Sequence, residues 1–367
     1  MWRKLICLVC LSGILLLCTA CNTIPVQSQS NPNDTVILTD TVGRSVTIPA
    51  NPQRIVAIGS ALRLYCYVAG TEYLVGVERA QQQAETGRPY ILANPDLANL
   101  PIVGEGHPAD PNPELLLAAD PDVIIAGDIM DISQLEELQK KLGIPVVITT
   151  FGSQAVFDEA TYQSLRLIGE IVGKEDRAEE IIHYMESCQA ELDHLTKDIP
   201  ESQKGSVYVG GLSNKGSHGI ESTSSQSPLL QAIHANNVAD ELIGQDTVAI
   251  DKEKIIAWDP DILVIDANGL SLVKEDYRKN PAFYQQLSAV KEGQVYRQLP
   301  YVSYYNNIET ALADIYYLGS LLYPDAFQAI DPIAKADEIY QFFLGVPLYD
   351  VMAERFGGYG PIDLANK

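Results

Sequence analysis

Two short loops hold most of the side chains in this chain that could grip a small molecule. GLSNKGSHGIES, residues 211–222, sets Asn214, Lys215 and His218 among glycines. Glycine lets backbone approach a ligand closely, while the amide, ammonium and imidazole supply donors and a cation. PYVSYYNN, residues 300–307, offers Tyr301, Tyr304, Tyr305 and Asn306. Flat rings with hydroxyl edges suit a chelate that has an apolar periphery. In the first half of the chain, Ser60, Arg63, Arg79 and His107 stand near the ends of predicted strands or in the loops beyond them. An arginine there would meet a ligand carboxylate; solvated surface arginine is the competing reading, and both stand at this point.

Other chemistries lack their residues. No CxxC, HExxH or histidine cluster occurs among five scattered histidines, so a dedicated zinc site is not expected. The first apolar strand run continues as IVAIGSALRLY, without the GxGxxG turn of a dinucleotide fold. The lysine-bearing loop has no GKS or GKT and is not a phosphate loop, and no nucleophile–base pair stands out. A non-catalytic binding protein is expected. An enzyme acting on a small molecule in a cleft, and a surface adhesion module, are the alternatives from other classes.

Loops need elements to hold them. Short β-branched runs, RIVAIGS (54–60), YLVGV (73–77), PDVIIAG (121–127) and PVVITT (145–150), alternate with helical patterns. The same grammar resumes at SVYVGG (206–211), ILVIDA (262–267) and QVYRQL (294–299). Continuous apolar strands between helices describe parallel sheets covered on both faces. Ligands in such sheets bind beyond the carboxyl ends of the strands, where the loops named above fall. A hairpin, TVILTDTVGRSVTIP, precedes the first strand run. Residues 157–198 lack strand signals, and Glu175 to Lys197 keeps a helical period for about 33 Å at 1.5 Å per residue.

One sentence is written twice. NPELLLAADPDVIIAGD (112–128) and DKEKIIAWDPDILVIDA (251–267) align without a gap, Glu114 with Glu253 and Asp120 with Asp259, 139 positions apart (253 − 114). Each reads as a short helix opening on glutamate, stopped by Asp-Pro-Asp, then a central strand. The bland role for the glutamates is to face the positive end of a helix dipole. The functional one is to present one carboxylate per lobe to a two-fold symmetric partner.

The N-terminus, MWRKLICLVCLSGILLLCTAC, has a basic start, an apolar run too short to span a bilayer and small residues before Cys21. It resembles a bacterial lipoprotein signal, which implies that Cys21 is acylated and becomes the mature N-terminus. Residues 22–34 are polar and suit a flexible tether. The formal charge of −23 repels polyanions, so nucleic acid is excluded as a partner. Of six cysteines, only Cys66 and Cys188 follow Cys21; both sit in apolar helical patterns and read as buried free thiols.

From Asp34 onward the chain resembles the substrate-binding proteins of ABC importers for iron-siderophores, haem and vitamin B12. DTVGRSVTIPANPQRIVAIG and the two PE…DPD helices carry the resemblance most specifically; NKGSHGIESTSSQSP and YVSYYNNIETALADIYYLGSLLYP point to the iron-complex subgroup. The resemblance implies an α/β fold: two Rossmann-like lobes with parallel-rich sheets joined by a long backbone helix, the ligand cleft between them. Signal 1–21, tether 22–34, N-terminal lobe 35–156, linking helices 157–198 and C-terminal lobe 199–367 follow as the expected organisation. It also implies no resident cofactor, an iron complex as transported ligand, and docking of Glu114 and Glu253 on arginines of a two-fold symmetric permease with its ATPase. The protein would be held outside the cytoplasm by lipidated Cys21. A corrinoid, haem or an oxyanion remain alternative ligands; His218 keeps haem open, with no second axial ligand evident.

Overall fold

Five parallel strands, each a run of β-branched residues, form the first sheet. Their spatial order is Ile102–Gly104, Leu74–Glu78, Ile55–Gly59, Val123–Gly127 and Val146–Thr149. The central strands IVAIG and VIIAG are buried along nearly their whole length, as expected for a sheet covered on both faces. The computed structural model describes residues 34–83, 87–106, 111–127, 131–152, 156–213, 216–242, 248–303 and 305–366. Cys21, His107, Asn214, Lys215 and Tyr304 lie outside the described residues. Pro32–Lys367 forms one compact unit.

The second sheet runs Asn236–Asn237, Ser206–Gly210, Ile262–Asp266, Val295–Gln298 and Gly360–Pro361. Only the last strand is antiparallel. In each sheet the chain reverses its direction of growth between two central strands: Ile55–Gly59 and Val123–Gly127 in the first, Ser206–Gly210 and Ile262–Asp266 in the second. Crevices open beyond the carboxyl ends at such switch points. The expected hairpin is present, Thr35–Thr39 against Ser45–Pro49.

The helices Glu159–Val172 and Glu175–Thr196 link the two sheets in sequence. The inward stripe of the longer one, Ala178, Ile181, Ile182, Met185, Cys188 and Leu192, is buried. Cys66 and Cys188 are buried free thiols, as their patterns indicated.

Strand alternation sorts the core into three parts. Ile55, Ala57, Val123, Ile125 and Val147 share one continuous core with Val207, Val209 and Val264 of the second sheet and with the linking helices. The opposite pleats face two separate outer cores: Val56, Ile58, Ile124 and Ala126 in one, Tyr208, Leu263 and Ile265 in the other. A shared inner core opposes hinge motion, because opening would expose apolar surface at about 25 cal/mol per Å². Small-angle scattering is therefore expected to show no marked compaction on ligand binding; a large one would contradict this packing.

The repeated sentence is a repeated structure. The helices Pro113–Ala119 and Lys252–Trp258, and the strands Val123–Gly127 and Ile262–Asp266, keep the same offset. Asp120 and Asp259 both end their helices in the left-handed conformation, at φ 50° and 39°, which aspartate tolerates better than most residues. The second aspartate of each Asp-Pro-Asp ties down the chain entering the neighbouring strand of its own sheet, Ile55–Gly59 or Ser206–Gly210. Asp122 accepts from the Gln53 and Arg54 amides at 2.7 and 2.9 Å, and Asp261 from the Ser206 amide at 2.7 Å.

Candidate ligand cleft and outward glutamates

At the first switch point Gly59 takes a positive φ of 63°, and the Ser60 amide donates to the Gly127 carbonyl at 3.2 Å. A Cβ on Gly127 would stand 2.3 Å from Ser60 Oγ, so the loop and strand touch there only because glycine is present. Beneath this loop Glu78 is fully buried, and its Oε2 accepts from the Gly59 amide at 2.7 Å. Burial raises its carboxyl pKa, opposed by that amide, Gln81 and Arg88.

The second switch point repeats the device. Asp266, at the end of its strand, accepts from the Asn268 amide at 3.0 Å and from Gln298 at 3.4 Å. Gly211 has φ 79°, and a Cβ on Gly269 would stand 2.4 Å from the Gly211 carbonyl and 2.5 Å from that of His218. Gly211 and His218 thus meet Gly269 backbone to backbone. Burial pushes the Asp266 carboxyl up to about 7 against the opposing Asn268 and Gln298 bonds.

A carboxyl raised on folding favours the folded state while protonated, and that contribution is lost as pH rises toward its folded value. The loss begins near the unfolded value of about 4 and amounts to about 1.4 kcal/mol per pH unit at most. Asp266→Asn keeps the shape without the charge, so melting temperatures should favour the variant more at pH 8 than at pH 5. An equal difference at both pH values would show that Asp266 does not titrate in this window.

The candidate residues separate. Arg63 is neither a solvated surface arginine nor an open cation: it is 2% exposed and crosses from the first lobe to the second. Its two terminal nitrogens donate to the Asn306 and Ser303 carbonyls at 2.9 and 2.8 Å. Tyr301, expected on the cleft wall, is 4% exposed and belongs to the shared core; its ring packs there just ahead of the strand Val302–Ser303, and burial drives its hydroxyl pKa far up. Tyr305 is partly buried and stacks on Phe151 of the first lobe, centroids 5.6 Å apart at 22°. Asn306 is buried. Arg79 is exposed and paired with Glu105 at 2.9 Å. His218 is exposed. Among the described residues, no group of three His, Cys, Asp or Glu side chains is arranged to hold a metal.

Several groups at the junction escape a reading of the loops alone. Asn307 donates to the Gly87 carbonyl at 2.6 Å across the lobes, and Tyr67 donates to fully buried Glu309. Asp314, also fully buried, accepts from Tyr359 at 2.9 Å, and its carboxyl pKa is raised far by burial. The helix Ile308–Leu322 carries both acids in a stretch buried on all sides. The absence of a polar face in IETALADIYYLG was the available signal.

Glu114 and Glu253 behave differently from all of these. Each lies in the first turn of its repeated helix, and both are exposed. Their helices pack through Leu116 and Ile255 on the two outer cores, not on the shared one. Neither carboxylate forms an ion pair among the described residues. Leu115 and Leu117, beside Glu114, are 41% and 51% exposed. Among the described residues no helix is long and apolar enough to cross a membrane.

Known proteins share this architecture. The profile of the periplasmic binding protein family matches residues 71–300. An uncharacterized ABC transporter substrate-binding lipoprotein of Bacillus subtilis, YvrC, is 22% identical over 80% of this chain and 87% of its own length. The Fe(3+)-citrate-binding protein YfmC of the same organism is 23% identical, covering 74% and 80%. A periplasmic solute binding protein from Veillonella parvula superimposes with a TM-score of 0.70 at 22% identity, over 88% of this chain and 97% of that one.

Proposed function

Since this chain belongs to the periplasmic binding protein family, we propose that it captures an iron chelate outside the cytoplasm and delivers it to an ABC permease. The observation that carries the delivery half is the pair of exposed glutamates at equivalent positions on the outer faces of two lobes. Carboxylates that make no ion pair within the described residues are available to arginines of a two-fold symmetric partner, where bidentate pairing is strong and directional. Lipidation at Cys21 would keep the carrier within reach of that partner, and its work is binding and release without turnover.

The capture half rests on the two switch points and on the cross-lobe contacts beside them. Glycine-bearing loops let backbone approach a ligand from both sides, and Tyr305 with the 214–218 loop offers an aromatic face and donors. The ferric-citrate relative favours a compact ferric chelate of carboxylate character. Mass spectrometry of ligand retained by natively purified protein tests this. A ferric chelate is expected; an oxyanion, corrinoid or haem in its place would overturn the ligand assignment, and turnover of the bound molecule would overturn the carrier role.

A further inference from the structure

Arg63 rises from the first turn of the helix Ala61–Ala69, directly after the first-lobe switch point. Its guanidinium carbon sits 5.1 Å from the Tyr90 ring centroid and 5.8 Å from that of Phe151, both first-lobe rings. The fork then reaches the second lobe, where it binds the carbonyls of Ser303 and Asn306. Those residues belong to a short antiparallel pair, Val302–Ser303 with Tyr305–Asn306. Four residues of pairing cannot fix a position alone. Tyr305, on this pair, stacks against the same Phe151 that lies under Arg63.

We infer that Arg63 is the positioning residue that holds the second lobe's aromatic ligand loop in register with the first lobe, so that grip on the ligand follows the spacing of the lobes. Two N–H groups in a rigid plane bind two carbonyls on opposite strands of the pair, which fixes both its place and its tilt. The two first-lobe rings within 6 Å of the guanidinium carbon hold it to the first lobe and leave it little freedom to follow the loop if the lobes part. Any separation imposed from outside pulls the fork off those carbonyls. The loop then loses its register before the shared core gives way. This inference rests on the reading of the loop as part of the ligand site.

Hydrogen exchange of the full-length chain in detergent, without ligand, reads the register directly. Arg63→Met keeps an apolar stem under the rings and removes both donors. Exchange in peptides covering residues 301–307 should then rise at least tenfold, with the strands of both sheets unchanged. Leu64→Ala, a cavity on the same helix, lowers the melting temperature but should leave those peptides as protected as in the wild type. Should Arg63→Met fail to fold, Arg63→Lys, which keeps the charge without the planar fork, serves with a rise of about threefold. Ferric citrate is the binding probe: its affinity should fall about tenfold in Arg63→Met, mostly through faster dissociation. Exchange no faster than in Leu64→Ala, or a loosened loop with ferric citrate affinity unchanged, would overturn the inference. A wild-type chain that ignores ferric citrate removes that chelate as the ligand, and the exchange result still decides the role of Arg63.

Discussion

Replacing both outward carboxylates, Glu114→Ala with Glu253→Ala, is expected to stop uptake and permease-stimulated ATP hydrolysis while ligand affinity stays at the wild-type value. The separation follows from the packing. Both glutamates ride on helices whose buried residues belong to the outer cores, so their loss should leave the two switch points untouched. Exposed ion pairs are worth about 0–1 kcal/mol, and a single substitution should be mild at Glu253, where no residue beside it in its helix is a large exposed hydrophobe. Beside Glu114 the exposed Leu115 and Leu117 would desolvate an arginine pair on contact, which raises the cost of losing it to about 2–5 kcal/mol. Glu114→Ala alone should therefore hurt delivery more than Glu253→Ala. Normal uptake by the double variant, or lost ligand binding in it, would end the docking role.

The second large effect is expected at Cys21. Cys21→Ser should release the protein from membranes or strand it as an uncleaved precursor. Among the described residues no helix offers a substitute span. Two acyl chains anchor where one binds only reversibly, since each buried methylene contributes about 0.8 kcal/mol. Fractionation of cells carrying the variant checks this; a mature Cys21→Ser protein still requiring detergent would refute the lipoprotein assignment.

The sequence made the scaffold legible for specific reasons. IVAIG, VIIAG and ILVID are too continuously apolar to be half-exposed strands, which forces a covered parallel sheet. The Asp-Pro-Asp repeat located equivalent helices in both lobes because its three residues act locally, as a left-handed cap, a stop and an anchor for the neighbouring strand. Asn236–Asn237 and Gly360–Pro361 were not legible, since two residues carry no period and an edge strand needs none. The site was harder to read. Arg63, Glu78, Glu309 and Asp314 are charged types that ordinarily mark surface, yet all four are buried. Their neighbours in space come from positions up to 243 residues away, and no local pattern reports such pairing. Tyr301 erred the other way: in YVSYYNN one tyrosine of the group faces the core, and loop residues have no periodicity to tell them apart.

The inner core that runs from Ile55 through the linking helices to Val264 has a thermodynamic corollary. Neither half can present a finished interior on its own, since the inward pleat of each sheet is closed partly by residues of the other half and of the linker. Melting should accordingly be one cooperative event, with no half-folded species at equilibrium. A ligand at the site proposed above would then stabilise the whole chain by mass action, and its effect would read out undiluted in a single transition. For a chain exported as proposed, the same economy has a cost: the inner core stays open until its last third has emerged.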